Sequence, residues 1–301
     1  MSGAWHEEPV PRAFFTAVQF LTRVPVPGGE TRDLSTFPED IQRGLQFFPL
    51  IGGVIGAVTA FVFLLLDAWL PPSVAVLAAL AVEARLTGAF HEDAVADFCD
   101  AFGGGWTRED VLRILKDSRI GSYGALGLGL AVALRASGLI SMSEPWHVAM
   151  ALIFAGALGR LTILAVMAVV PPVPAREGLA KDVGQVADWG TILRGVLWVL
   201  PVVLFAAWYD LPGLLMAAGG IAVFVAWLRA YLMRRLGGVT GDCLGFSAYA
   251  GMILGTRGVT VWGASHWSAI RRWRRTGRGA AMARAMWASA ARAVPPRGRW
   301  R

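Results

Sequence analysis

The chain has 301 residues, 55% of them hydrophobic and only 16% charged, with a mean hydropathy of +0.53. Soluble domains carry about 25% charged residues, so this composition excludes an ordinary water-soluble fold and points to an integral membrane protein. The net charge of +7, crowded into arginines near the C-terminus, suits anionic lipid and the positive-inside rule better than nucleic acid.

Residues 1–46 contain no apolar run long enough to cross a bilayer. Glu7 and Glu8 with no early apolar core argue against a cleavable signal peptide. Ala13–Val24 reads as an amphipathic interfacial helix stopped by Pro25 and Pro27. Phe47–Leu70 is the first span, since a hydrocarbon core of about 30 Å needs about 20 apolar residues. Gly52, Gly53 and Gly56 give it a face for close helix packing. Val74–Phe90 returns after the Pro71–Pro72 turn. It carries Glu83 and Arg85, which must face the protein interior or the membrane edge. Gly121–Ser141 and Trp146–Val170 form the next pair, with Arg135 and Arg160 inside them. Arg160 should not face lipid; it points either to a phosphate-bearing site or to a structural partner such as Glu83 or an aspartate. A polar loop with Arg176, Glu177 and Lys181 precedes a hairpin of Ile192–Tyr209 and Leu211–Leu232 around Asp210 and Pro212. MRRLGGVTGDCLGF follows, whose glycines, Thr240 and Asp242 form a second phosphate or metal element, weak by itself. Ala248–Ala264 is moderately apolar and interrupted by Arg257, and Arg271–Arg301 is a basic low-complexity tail.

These elements predict an all-α fold, a polytopic integral membrane helical bundle with about six to seven transmembrane helices. Its parts are an interfacial segment (1–46), a membrane-embedded domain (47–264) and a poorly ordered basic tail (265–301). Cys99 and Cys243 make no disulfide framework and are expected as free thiols. The turns at 71–73, 142–145 and 209–212 hold no Lys or Arg, whereas the segments before 47 and at 91–120, 171–190 and 233–242 hold several. The positive-inside rule therefore places the Asp93, Arg176 and Asp242 segments together on the cytosolic side.

The stretch 88–124, GAFHEDAVADFCDAFGGGWTREDVLRILKDSRIGSYG, holds a third of the 21 acidic residues. Asp93, Asp97 and Asp100 are spaced i, i+4, i+7, within roughly 60° of arc on a helix. Stacked carboxylates repel unless a cation lies between them, and oxygen-only donors suit Mg²⁺ or Mn²⁺. The same spacing also describes the wet face of an amphipathic helix, but here it abuts apparent spans, where ionisable groups are functional by default. Gly103–Gly105 and the cations Arg113, Lys116 and Arg119 follow directly. Carboxylates, glycines and cations are the parts of a metal-assisted phosphate site.

The stretch resembles the cobalamin synthase family, the adenosylcobinamide-GDP ribazoletransferases. His91, Asp93, Asp97 and Asp100 fall on that family's acidic motif; Lys116, Asp117, Ser118, Arg119, Gly121 and Gly124 fall on its second motif. The likeness extends to FLTRVPVP, FPLIGGVIG, Arg160, REGLA at 176–180 and GGVTGDCLG at 237–245, covering roughly residues 14 to 245. Ala94, Ala101 and Cys243 depart from the family pattern, and the region after Gly245 does not clearly continue into its apolar final helix.

The resemblance implies transfer of the cobinamide phosphate of adenosylcobinamide-GDP to α-ribazole, or its 5′-phosphate, with release of GMP. Asp93, Asp97 and Asp100 would hold Mg²⁺, and Lys116, Ser118, Arg119, Arg160 and Asp242 would bind phosphate. One carboxylate or His91 would accept the hydroxyl proton. The expected setting is the inner (cytoplasmic) membrane with a cytosol-facing site, no nucleic acid partner, and room for a homo-oligomer. Two other readings stand beside it. A cation or small-molecule transporter would use the same aspartates without chemistry, but no internal repeat is visible. Another membrane nucleotidyl-alcohol phosphotransferase would use the same carboxylate logic on a different acceptor.

Overall fold

The computed structural model describes residues 9–26, 37–173 and 187–256. The loop of Arg176, Glu177 and Lys181 and the basic tail lie outside them. The chain divides into two compact units, Met1–Thr260 and Val261–Arg301, and the second lies wholly outside the described residues.

The described residues are helical, with no strand among them beyond one isolated bridge, Pro172 to Val239. The predicted interfacial segment forms α1 (Pro9–Leu21), and α2 (Phe37–Gly44) follows. Neither is set apart from the bundle. Ala13, Ala17, Leu21 and Ile41 are buried in the same core as Phe48, Ile163 and Leu164, and Arg12 Nε donates to Asp40 Oδ1 at 2.8 Å between the two helices.

The first span is α3 (Phe48–Asp67), and it packs on α8 (Pro145–Val169). The predicted glycine ridge makes that contact. A methyl group built on Gly52 would lie 2.2 Å from the Gly156 carbonyl oxygen, and one on Gly156 would lie 2.2 Å from that of Gly52. Backbone therefore touches backbone, the arrangement that small residues allow in lipid. α4 (Pro72–Thr87) returns from α3, and α7 (Ser122–Ile140), a further span, precedes α8.

α4 ends at Gly88, whose φ of +73° is the left-handed conformation that glycine adopts freely. Ala89 is left-handed as well, with φ +58°. Two such residues in succession turn the chain through 91° into α5 (Phe90–Gly104). α5 is 15 residues long, carries four carboxylates, and does not by itself have the length and apolarity of a span. It packs along α7, with Cys99 against Gly127 and Val95 in one cluster with Ala131, and is followed by the short α6 (Arg108–Ile114), whose start is fixed by a capping box between Thr107 and Asp110.

The hairpin predicted around Asp210 is present. α9 (Trp189–Trp198) and α10 (Leu200–Arg235) are separated at Val199, and Asp210 inside α10 has non-helical φ −151°, ψ 73°. Tyr209 meets His147 at one end of α8, while Arg229 Nε donates to the Val169 carbonyl at the other, 3.0 Å away. Val202 and Ala206 pack into the same cluster around Phe154 as Leu214 and Ala217, so the chain doubles back at Asp210.

The last described helix, α11 (residues 241–256), corrects the expectation of a doubtful final helix. Ala248, Tyr249, Met252 and Thr256 are all at most 2% exposed. It looked weakly apolar because protein, not lipid, surrounds it. Four helices are long and apolar enough to cross a membrane, with a fifth crossing if the bent α4–α5 pair is one. The expected six to seven counted the two sides of Asp210 and the final segment separately.

Two of the charges inside the bundle form a buried pair. Arg135 Nη2 donates to Glu83 Oε2 at 2.8 Å, joining α7 to α4, and both side chains are at most 4% exposed. The Arg135 guanidinium also lies 5.7 Å from the Tyr249 ring centroid. Arg85, by contrast, is exposed near the end of α4.

Candidate active site

α5 buries one face and opens the other. Ala94, Val95, Phe98 and Ala101 enter the core, while Asp93 is exposed and Asp97 and Asp100 are half-buried on the open side. The three predicted ridge aspartates thus share one face of one helix, as their spacing required.

They do not do the same work. Asp100 accepts hydrogen bonds from two main-chain amides, Gly121 N–H to Oδ2 at 2.6 Å and Gly124 N–H to Oδ1 at 2.7 Å. Both its oxygens hold the start of α7 against α5. A methyl group at Gly124 would sit 2.1 Å from Asp100 Oδ2, which is why a residue without a side chain stands there. Asp100 was expected as a metal ligand; in the structure its two oxygens also tether the two motifs. Asp97 has the opposite character. Burial, then the charges of Asp93, Asp242 and Asp100, push its carboxyl up to about 6.

Asp242 therefore belongs to the ridge, although 142 residues of sequence separate it from Asp100. It opens α11 beside the Thr240 hydroxyl, which lies 3.5 Å from Asp242 Oδ2. Stacked rings of Phe98 and Phe246, 3.8 Å between centroids and 3° between planes, lock α11 onto α5. The glycine segment is tied in turn to the end of α8. Val239 N–H donates to the Pro171 carbonyl at 2.8 Å, and Val173 N–H to the Val239 carbonyl at 3.1 Å. Two of the three polar segments expected to meet at one membrane face, those of Asp93 and Asp242, do meet.

Lys116, Ser118 and Arg119 lie on the exposed connection between α6 and α7. Arg119 grips Asp117 with Nε at 2.9 Å from Oδ1 and Nη2 at 2.6 Å from Oδ2. These hydrogen bonds hold the Asp117 carboxyl down to about 2. Sequence reading passed over Asp117 in this role, though an acid two residues before an arginine in a loop is a readable sign of such a clasp.

Two expected site residues are elsewhere. His91 is 2% exposed on the buried side of α5, and its Nδ1 finds no partner among the described residues. Burial, then the positive charges of Arg160 and Arg135, hold it well below the ordinary histidine range, and it faces away from the ridge. Arg160, expected at phosphate, is fully buried, with Nη1 directed at Met252 Sδ at 3.2 Å. The structure keeps it inside the bundle with Glu83 and Arg135 and does not bring it to the acidic face.

The donor set on the ridge is made of hard carboxylate oxygens. Among the described residues no three His, Cys, Asp or Glu side chains form a ready-made metal cage. Mg²⁺ does not require one, because it is commonly held by one or two carboxylates together with substrate phosphate oxygens. The exposed Asp93, the half-buried Asp97 and Asp242 fit that mode. Cys99 is half-buried, Cys243 is buried, and neither is in a disulfide among the described residues.

Comparison with known proteins covers most of the chain. A family model described as cobalamin-5-phosphate synthase matches residues 13–259. An adenosylcobinamide-GDP ribazoletransferase of Ralstonia pickettii is 37% identical over 259 residues, 84% of this chain and 97% of that protein. The corresponding protein of Ralstonia nicotianae is 38% identical over 246 residues, 78% of this chain and 90% of its own length. One from Leptospira interrogans is 32% identical over 256 residues, 82% of this chain and 94% of its own. No solved structure matches the chain.

Proposed function

The chain belongs to the cobalamin-5-phosphate synthase family, and we propose that it joins adenosylcobinamide-GDP to α-ribazole, or to α-ribazole 5′-phosphate, on the ridge of α5. It is a membrane enzyme of cobalamin synthesis; the substrates, the metal and the orientation are the proposal. The observation that carries it is the convergence of Asp93 and Asp97 with the sequence-distant Asp242 beside a loop of exposed cations. A wet helix face alone gives no reason for a second, separate motif to bring a fourth carboxylate to the same place.

In the proposed reaction the ribazole hydroxyl oxygen attacks the phosphorus that carries cobinamide. A P–O bond forms there, the bond from that phosphorus to the bridging oxygen breaks, and the electron pair leaves on the phosphate of GMP. The hydroxyl proton passes to a ridge carboxylate; His91, buried on the other side of α5, is not placed to take it. Asp93, Asp97 and Asp242 would hold Mg²⁺, which when bound supplies neutralising charge to a diphosphate. Lys116 and Ser118 are free of the Asp117–Arg119 clasp to reach phosphate oxygens, and Arg119 is aimed by it. Asp100 keeps the cation loop in register with the ridge. The cation-bearing segments support a site on the cytosolic face of the inner membrane.

The test uses the full chain in native membranes or nanodiscs with adenosylcobinamide-GDP, α-ribazole and Mg²⁺, following a cobalamin product and GMP. The intact chain should release both in equal amounts. Asp97→Asn should lose more than the ~10–100-fold that outer-shell changes cost around a metal. An unchanged rate in Asp97→Asn removes the carboxylate site; no product from the well-folded intact chain removes the activity.

A further inference from the structure

A second polar feature lies off the end of α5, and the ridge chemistry does not use it. Trp106, Arg108, Arg234, Arg235, Leu236 and Gly237 line a cavity of about 390 Å³. That is within the range of about 300–1,000 Å³ usual for small-molecule sites. Its wall contains three guanidinium groups and no carboxylate.

Two of the arginines are held in place by main chain from the opposite side. Arg108 Nε donates to the Leu236 carbonyl at 3.0 Å, and Arg235 Nη2 to the Gly105 carbonyl at 2.6 Å. Arg235 is further fixed with its guanidinium 5.9 Å from the ring centroids of both Phe102 and Tyr231. A guanidinium has five N–H donors, and each of these two has one hydrogen bond among the described residues. Arg234 is exposed at the same wall. Beside them Trp106 is 88% exposed, an indole face with nothing of the bundle packed on it. Cationic forks next to an open aromatic face recognise a phosphate that carries a planar ring.

The position narrows the ligand. Gly105 follows Asp100 by five residues, about 7.5 Å along the α5 axis, and Gly237 precedes Asp242 by five. The cavity thus lies between the same two motifs that assemble the ridge. We propose that it holds the guanosine monophosphate half of the diphosphate substrate, with the base on Trp106 and its phosphate toward Arg234 and Arg108. This rests on the ribazole-transfer reading, in which GMP is the leaving group. Guanidinium charge at that phosphate favours departure, and the open rim lets the product out. An anionic lipid headgroup offers the same phosphate without a ring, so the two sources are separable.

The experiment measures binding of GMP, guanosine and inorganic phosphate to the full chain in nanodiscs of zwitterionic lipid and of lipid containing phosphatidylglycerol. It also measures the KM for each substrate. Trp106→Ala should weaken GMP about tenfold and leave inorganic phosphate unchanged; Trp106→Phe should recover most of the loss. Arg234→Ala should weaken both GMP and phosphate. In both variants the KM for adenosylcobinamide-GDP should rise while that for α-ribazole stays level. Unchanged GMP affinity in both variants overturns the proposal. So does GMP binding that phosphatidylglycerol abolishes in the intact chain but not in Arg234→Ala, which marks a lipid site. If GMP binding follows the variants as expected but the intact chain transfers nothing to ribazole, the nucleotide site stands and the proposed reaction falls.

Discussion

Asp97 is held up by burial and by three neighbouring carboxylates, and that makes it a test of what the ridge is for. Its folded-state carboxyl value, about 6, lies above the ordinary 3.8. Between those two values the folded chain holds more proton than the unfolded one, so stability falls as pH rises through that window. Without divalent cations the protein should therefore melt at a higher temperature at pH 5 than at pH 7. Asp97→Asn should melt higher than the parent at pH 7 and lose that dependence, even as it loses activity in the transfer assay. Thermal melts with and without Mg²⁺ decide this; a variant less stable than the parent at pH 7 would show that Asp97 has a structural partner instead. Asp100 should behave in the opposite way. Its carboxylate accepts two main-chain N–H bonds, and bonds to charged groups contribute about 1.5–3 kcal/mol each. Asp100→Ala should speed hydrogen exchange at the Gly121 and Gly124 amides and reduce activity through the loop, even with the other three carboxylates intact. The i, i+4, i+7 spacing made the shared face legible in the sequence, but it could not divide three identical side chains between ligand and tether. That division depends on where the Gly121 and Gly124 amides arrive in space, which no local pattern records.

At the scale of elements, the break between α4 and α5 sets where the ridge points. Sequence hydropathy ran the span on to Phe90, because Gly88 and Ala89 are as apolar as their neighbours; the 91° turn is a matter of backbone angles. Gly88→Ala places a β-carbon at positive φ, which costs roughly 1–2 kcal/mol, and that atom would lie 2.2 Å from Arg23 Nε. Ala89→Gly relieves the neighbouring left-handed residue and should be tolerated. Unfolding titrations in mixed micelles should show the first variant clearly destabilised and the second near the parent. The Glu83–Arg135 pair across α4 and α7 is a further brace for the same corner. Removing one partner of a buried pair leaves an uncompensated charge, so Glu83→Gln should cost about 3 kcal/mol in the same assay. The sequence placed Glu83 at the protein interior or the membrane edge; it did not say that Arg135, not Arg160, would meet it. α11 teaches a related point, since its modest hydropathy concealed a helix buried over most of its length.

At the scale of the whole molecule, charge and topology make one joint statement. The ends of the bundle are separable in the structure. Tyr209 meets His147 near the start of α8, and Val239 pairs with Val173 just beyond its finish. The turns without Lys or Arg belong with the first end, and the ridge, the cation loop and the α10–α11 glycine segment belong with the second. The alternation read from charge alone therefore matches the order in which the chain visits the two ends. This follows because insertion acts on the charges of short loops, and those are visible in sequence. What remains is which end faces the cytosol, and two positions decide it. Trp69 is 83% exposed in the turn between α3 and α4, and Lys116 is exposed in the cation loop. In a chain with Cys99 and Cys243 replaced by serine, Lys116→Cys should react with a membrane-impermeant maleimide only in inside-out vesicles, and Trp69→Cys only in right-side-out ones. The reverse pattern would put the carboxylates on the outer side, away from the nucleotide pool, and the transfer reaction could not be sustained there. Labelling of Lys116→Cys from the inside, with Trp69→Cys labelled from the outside, joins the fold's two ends to the chemistry that only one of them can serve.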